Sequence, residues 1–408
     1  MPQDPRGALL AIFQSAVTAV NGRRAVSAWL LAHELPDAVY VIALGKAACA
    51  MAAGAQEVLG ARVVRALVIT KHGYSERLPW PVLEAGHPVP DAASLHAGAR
   101  LLEFVHAIPP SAQVLVLLSG GASALAESLP PGVLLEDVQR LNQWLLSHGC
   151  AIDTMNAVRG RLSRIKGGRL AQQLAPRRVQ VLAISDVAGD DPAVIGSGPC
   201  TPAGSATPMP ETLPLPADLR ALLARATPAP RADDGCFRVV TYDLVARPAD
   251  ALAAAVAAAR ARGLAARVLP PLAGDAAAAG ASCAHQLLAA PAQEVLLWCG
   301  ETTVVLPPHA GRGGRCQQLA LSAAQVLDGA AGACLLAGAT DGSDGPTEDA
   351  GALVDGATLA RLRAEGRDAA NALRGCDAGA ALEASGDLLQ TGPTGTNVMD
   401  LVLALRVE

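Results

Sequence analysis

Six short segments of the 408-residue chain concentrate the residue types that bind anions and move protons. The first is Leu44-Gly45-Lys46-Ala47-Ala48, which follows an apolar run and opens a helical pattern. A lysine there stands over a helix N-terminus, where amides and dipole already favour an anion. The second is Leu118-Ser119-Gly120-Gly121-Ala122-Ser123, again strand to loop to helix. Paired glycines let backbone amides approach a phosphate or carboxylate, and Ser119 and Ser123 add hydroxyl donors. The third is the polar set Asn156, Arg159, Ser163 and Lys166, spaced to fall on one helix face. A solvated face explains that stripe equally well, but Lys166-Gly167-Gly168-Arg169 then breaks the helix beside two cations. The fourth joins Asp186, Asp190 and Asp191 to the turn Gly196-Ser197-Gly198-Pro199. Carboxylates at a strand end suit Mg²⁺ or a general base, and an Asx-turn surface loop is the plainer alternative.

The fifth segment couples Gly300-Glu301-Thr302-Thr303 to Gly311-Arg312-Gly313-Gly314-Arg315-Cys316-Gln317. Two arginines on glycine-rich backbone suit a carboxylate or phosphate; a flexible basic loop is the alternative. The sixth sets Thr340-Asp341-Gly342-Ser343-Asp344-Gly345 beside Thr391-Gly392-Pro393-Thr394-Gly395-Thr396-Asn397. Glycines alternating with Asp, Ser and Thr pack poorly but supply many donors and acceptors.

The elements that must position these loops follow from periodicity. Val39–Leu44, Ala66–Thr70, Val114–Leu118 and Val179–Ile184 read as buried strands. Ala47–Leu59, Asp91–Ile108, Leu135–Gly149 and Ile152–Leu174 read as helices between them. Such alternation predicts βαβ units, a mostly parallel sheet and a Rossmann-like three-layer α/β domain. In open α/β sheets ligands bind at the carboxyl ends of strands, where these loops collect. Eight prolines between Pro199 and Arg231 oppose regular structure apart from a short helix at Ala217–Arg225. The boundary is therefore expected near 232, giving domains 1–232 and 233–408. The second, smaller α/β domain is expected to carry strands Phe237–Val240, Ala266–Leu269, Glu294–Trp298, Thr302–Leu306, Ala333–Ala337 and Leu401–Leu405, with helices Ala249–Arg262 and Ala273–Ala290.

Composition narrows the class. Aromatics are 2%, so the cores must be built from Ala, Val and Leu. The net charge of −5 gives no general attraction to nucleic acid or to an anionic membrane. No apolar run approaches the ~18–20 residues of a membrane span, and the first residues lack a secretory pattern. Nine cysteines without a CxxC pair, with Cys49, Cys150, Cys299 and Cys334 inside apolar stretches, fit small buried hydrophobes in a reducing cytoplasm. No HxxH or HExxH spacing supports zinc. The chain has no GxxxxGK[ST] P-loop, no kinase HRD or DFG set and no GxGxxG fingerprint. The residues alone predict a two-domain α/β enzyme acting on anionic small molecules with nucleotide and Mg²⁺.

Taken together, the segments resemble the glycerate 2-kinase family, whose second half carries the MOFRL domain and whose members are often labelled hydroxypyruvate reductases. The likeness runs from Gly45-Lys46-Ala47-Ala48 through Ser119-Gly120-Gly121, Lys166-Gly167-Gly168-Arg169, Ser185-Asp186-Val187 and Gly196-Ser197-Gly198-Pro199. It continues through Gly300-Glu301-Thr302-Thr303, Thr340-Asp341-Gly342 and Thr391-Gly392-Pro393-Thr394-Gly395-Thr396-Asn397. The resemblance implies ATP-dependent phosphorylation of D-glycerate at the 2-hydroxyl, and a cleft between the two domains. It matches Lys46 and Arg315 to the family's lysine and arginine loops. The chain departs from the family at Ala122, where a third glycine is usual, and at Cys316, where asparagine is usual.

The resulting expectation makes Lys46, Asp186 and Arg315 catalytic. Asp190 is the rival base and is grouped with the nucleotide- and phosphate-binding Ser119, Gly120, Gly121, Ser123, Gly196, Ser197, Thr391, Thr394 and Asn397. Arg159, Lys166 and Glu301 would contact substrate, and Asp341 and Asp344 would hold Mg²⁺. An NAD(P)H-dependent hydroxypyruvate reductase and a non-catalytic sugar-acid-binding protein are the competing readings. The sequence leaves a homo-oligomer open.

Overall fold

The computed structural model describes residues 4–36, 38–148, 150, 152–202, 213–226 and 228–408, without the side chains of 146, 147, 152, 153, 156, 157 and 159. The chain divides into two compact units, Gly22–Ala246 and Met1–Asn21 with Arg247–Glu408.

The unit Gly22–Ala246 is built on β1 (Val39–Leu44), β2 (Val63–Lys71), β3 (Val82–Ala85), β4 (Gln113–Leu118), β5 (Arg178–Ile184) and β6 (Val240–Ala246). Every pairing is parallel, in the order β3-β2-β1-β4-β5-β6. Val, Ile and Leu runs form the central strands because both faces are covered. Ile42, Leu44, Val116, Leu118 and Val181 pack with Leu101 and Val105 of the helix Ala92–His106. Register sets Leu44 opposite both Ile69 and Leu118, and Leu118 opposite Ala183. The loops after β1, β4 and β5 therefore leave the sheet at about one level. The chain moves from β1 outward to β2 and β3, then returns to start β4 on β1's other side. That reversal makes the β1/β4 edge the topological switch point, where open α/β sheets bind ligands.

The other unit carries a mixed sheet of β7 (Ala265–Val268), β8 (Glu294–Gly300), β9 (Ala333–Ala339), β10 (Gly351–Asp355), β11 (Leu388–Leu389) and β12 (Asp400–Arg406). The order is β11-β10-β9-β12-β8-β7, with only the β7–β8 pairing parallel. Helices Ala276–Ala289 and Arg315–Val326 cross so closely that a Cβ on Gly280 would lie 2.0 Å from the Leu319 carbonyl oxygen. The amino-terminal helix Pro5–Ala19 belongs here too. Arg6 pairs with Asp355 and Asp387, and Phe13 packs against Gly338.

The structure differs from the sequence expectation in four places. This division of the chain falls at Ala246 rather than 232, because β6 pairs in parallel with β5 and so extends the first sheet. Phe237–Val239, expected as strand, lies in the 3-10 turn Gly235–Val239 that precedes β6. Thr302–Leu306 forms no strand beyond a bridge at Thr303; Val305 and Leu306 are solvent-exposed and Pro307 and Pro308 follow. Ile152–Leu174 is two helices, Ile152–Arg161 and Arg169–Leu174, parted by Gly167 and Gly168 at φ 59° and 81°. Of the proline-rich stretch, residues 203–212 and 227 lie outside the described residues, as does Gly149 at the end of the helix expected at Leu135–Gly149.

Candidate active site

In the unit Gly22–Ala246 the two glycine turns at the switch point are stitched together. Ser119 N donates to Leu44 O at 2.9 Å, Lys46 N to Gly120 O at 3.0 Å and Ala47 N to Ser119 Oγ at 3.0 Å. Gly45 has φ 125°, and a Cβ there would lie 2.2 Å from Ser119 Oγ, so the close approach admits only glycine. Ser119 is fully buried and its hydroxyl oxygen serves this stitch. Ser123 is half-buried and lies within the following helical turn, Ala122–Leu125. The half-buried Lys46 enters the helix Ala48–Leu59, whose start carries no side-chain cap. The stem of Lys46 passes over Gly121: a Cβ on Gly121 would meet Lys46 Cγ at 3.1 Å. A lysine stem thus runs beside a glycine turn at a helix start, an arrangement suited to phosphate oxygens.

Gly196 and Ser197 lie against the same turn. A Cβ on Gly196 would sit 3.0 Å from Leu118 Cδ1 and 3.2 Å from Ala122 Cβ. Ala122 is buried and absent from the positive-φ positions, so alanine fits where the family usually has glycine. Gly167 N and Gly168 N donate to Ser197 O and Gly198 O at 3.0 and 2.8 Å, holding that loop in place. Asp186 follows β5 and is half-buried. Asp190 adopts φ 56°, and its buried Oδ1 has no hydrogen-bond partner. Strained backbone and an unmade carboxylate bond together are costly, and such costs gather at functional positions.

Lys166 is differently employed from the expectation. Its Nζ forms an ion pair with Glu127, with the two side chains 3% and 2% exposed. Burying Glu127 demands a cation, so Lys166 supports the loop through its neighbours Gly167 and Gly168. The sequence reading missed Glu127, which sits in an unremarkable turn after Leu125 and carries no motif. Of the expected stripe, Ser163 is buried and the side chains of Asn156 and Arg159 lie outside the described residues.

In the other unit the remaining candidates gather at one end of the mixed sheet. Asp400 opens β12 opposite both Gly300, which ends β8, and Ala339, which ends β9. Arg315 meets Asp400 through Nε and Nη2 at 2.5 and 3.0 Å, and Glu301 through Nη2 at 2.8 Å. Burial works against the guanidinium charge, but Asp400 and Glu301 outweigh it and push Arg315 further above its ordinary value. Asp344 accepts Cys316 N and Gln317 N at 3.0 and 2.8 Å, closing the start of the helix Arg315–Val326. Burial, then the charge of Asp400, pushes the Asp344 carboxyl up to about 7. Burial and the nearby Asp400 and Asp344 likewise push the Cys316 thiol well above its ordinary value, leaving it neutral.

The last two loops interlock. A Cβ on Gly342 would lie 2.0 Å from Gly392 O, and Thr394 Oγ1 donates to Thr340 O. Thr391 is exposed and donates to Gly392 O at 2.8 Å, whereas Asn397 is buried. Asp341, buried, accepts Ser343 N at 3.0 Å. Among the described residues no three His, Cys, Asp or Glu are grouped to hold a metal. Mg²⁺ in kinases needs only one or two carboxylates and takes its other ligands from phosphate and water. Asp341 fits that demand. Asp344 is the less open of the two, since each of its oxygens already accepts a helix amide.

Residues 8–213 match a domain of unknown function, DUF4147, and residues 294–400 match the MOFRL family. A D-glycerate 2-kinase from Thermotoga maritima is 38% identical across 100% of this chain and 99% of its own. The chain belongs to the glycerate 2-kinase family. A crystal structure of glycerate kinase from Thermotoga maritima superposes with a TM-score of 0.83 at 37% identity, covering 100% of both chains. An Agrobacterium vitis relative of this family, 41% identical over 88% of this chain and 97% of its own, bears a hydroxypyruvate reductase label. The two-unit α/β architecture expected from the loops is that of the family, MOFRL half included.

Proposed function

We propose that this protein transfers the γ-phosphoryl group of ATP to the 2-hydroxyl of D-glycerate, releasing ADP and 2-phosphoglycerate. The observation that carries the reading is the Lys46–Gly121 arrangement at the β1/β4 switch point. Phosphoryl transfer asks little covalent chemistry of a protein and depends on positioning and charge. Lys46 supplies the charge on the transferring group, and the Gly120–Gly121 turn with Ser123 and the Gly196–Ser197 loop cradles phosphate oxygens. Asp186, with Asp190 as rival, orients the substrate hydroxyl and accepts its proton. Arg315 is oriented by Asp400, and the half-exposed Glu301 is the partner that a substrate carboxylate would replace. Mg²⁺, held by the nucleotide phosphates with Asp341 as its protein carboxylate, would screen the phosphate charge.

The reductase reading draws on the Agrobacterium vitis label and on a strand order shared with dinucleotide-binding folds. A pyrophosphate on the β1 turn needs glycines two and five positions after Gly45; Ala47 and Ala50 stand there, both buried. We place the protein in the cytoplasm, consistent with nine free cysteines. No helix among the described residues is long and apolar enough to cross a membrane. Paired assays decide between the readings. The kinase releases ADP only when D-glycerate is added; NADH oxidation with hydroxypyruvate and no ADP release would overturn it.

A further inference from the structure

One polar side chain at the switch point has no part in the scheme above. Directly after β3, Gly86 turns so tightly that a Cβ would lie 2.8 Å from both Val89 O and Asp91 Cγ. Asp91 anchors the turn. It accepts Ser94 N at 2.9 Å as the cap of the helix Ala92–His106, and it pairs with His72 Nε2 at 2.9 Å. Burial raises the Asp91 carboxyl, but hydrogen bonds from His72, Ser94 and Gly86 N prevail and hold it at about 2. The anchor therefore stays charged at neutral pH.

This turn delivers His87 to the phosphate loop. A Cβ on Gly121 would lie 3.1 Å from His87 Cδ2, 3.3 Å from His87 Nε2 and 3.1 Å from Lys46 Cγ. Imidazole and lysine stem thus border the same bare glycine. The ring turns its Cδ2–Nε2 edge toward Gly121, so a nitrogen that can donate lies at the turn. Gly121, at φ 84°, has no side chain to part the two, and a Cβ there would crowd both. A ring serving only to fill space would be replaceable there by an apolar side chain; a ring presenting nitrogen beside a lysine is suited to an anionic oxygen.

We propose that His87 is a further phosphoryl-binding residue, its Nε2 donating to an oxygen of the transferring phosphate beside Lys46. The proposal rests on the kinase reading of this site. Four proteins test it: wild type, His87→Ala, His87→Leu and His87→Gln, whose amide nitrogen can reach the place of Nε2. Each is assayed for D-glycerate-dependent ADP release, for ATP affinity by calorimetry and for thermal stability. His87→Ala and His87→Leu should lower kcat about 10–100-fold, the range of a donor to a charged group. KM for D-glycerate should change less than about threefold, and His87→Gln should recover most of the lost turnover. Wild-type kcat in His87→Ala, or a folded His87→Gln no better than His87→Leu, would overturn the assignment. If His87→Ala fails to fold, the Gln and Leu variants decide. If wild type releases no ADP, the kinase reading falls; His87 is then judged by ATP affinity, with a tenfold loss in His87→Leu supporting it and equal affinity rejecting it.

Discussion

The two glycine-lined loop clusters hold their principal cations in opposite ways. Lys46 stands over a turn whose backbone groups are already stitched by Ser119, Gly120 and Ala47, and a glycine leaves its stem room. Arg315 is gripped by Asp400 and Glu301, beside a second buried carboxylate, Asp344. One cluster is organised by backbone hydrogen bonds, the other by carboxylates around a guanidinium. In the proposed mechanism the first does transition-state work and the second orients substrate.

Lys46→Ala breaks that contrast most sharply. Removing a preorganised charge should lower kcat by about 10²–10³-fold with little change in thermal stability; steady-state kinetics beside a melting curve checks both. Next comes Glu127→Ala, which strands Lys166 in the interior. Breaking a buried pair costs about 3–5 kcal/mol, so denaturant unfolding should show a large loss, while Glu127→Ala with Lys166→Met together should restore part of it.

Acid–base behaviour should also separate the units. Asp344 titrates near 7 in the folded protein, above the ordinary carboxyl value, so the native state holds the extra proton between about pH 4 and 7. Its contribution to stability is complete below that window and fades as pH rises through 7. Asp91, depressed to about 2, behaves oppositely: its contribution is complete above about pH 4 and fades as pH falls toward 2. Melting temperatures across pH should show Asp344→Asn flattening the neutral-pH slope and Asp91→Asn flattening the acid slope. The smallest effect belongs to Glu301→Gln. Its pair with Arg315 is partly exposed, and such pairs contribute about 0–1 kcal/mol; stability should hold while KM for D-glycerate shifts.

The contrast also explains what the sequence made legible. β1, β4, β5, β8, β9 and β12 were readable because burial on both faces writes Val, Ile, Leu and Ala without interruption. β6 was not, because it is half-exposed, mixes Thr241, Tyr242 and Asp243 among its apolar residues, and lies beyond a proline-rich stretch. The partnership of the helix Pro5–Ala19 with the second sheet depends on contacts hundreds of residues apart, such as Arg6 with Asp355. In the candidate site, glycine spacing located the loops. It did not reveal which polar groups were spent on one another: Lys166 on Glu127, Arg315 on Asp400, Asp344 on helix amides. His87 escaped notice because its role depends on a tight turn at Gly86 that carries it to a loop far along the chain.

The central claim is that the stitched turn at the β1/β4 edge performs phosphoryl transfer to the 2-hydroxyl of D-glycerate. Phosphorus NMR of a reaction containing protein, ATP, Mg²⁺ and D-glycerate tests it most directly. The account predicts one new monoester resonance coinciding with authentic 2-phosphoglycerate, absent when Lys46→Ala replaces wild type over the same interval. A resonance matching 3-phosphoglycerate, or undiminished product from the Lys46 variant, would contradict it.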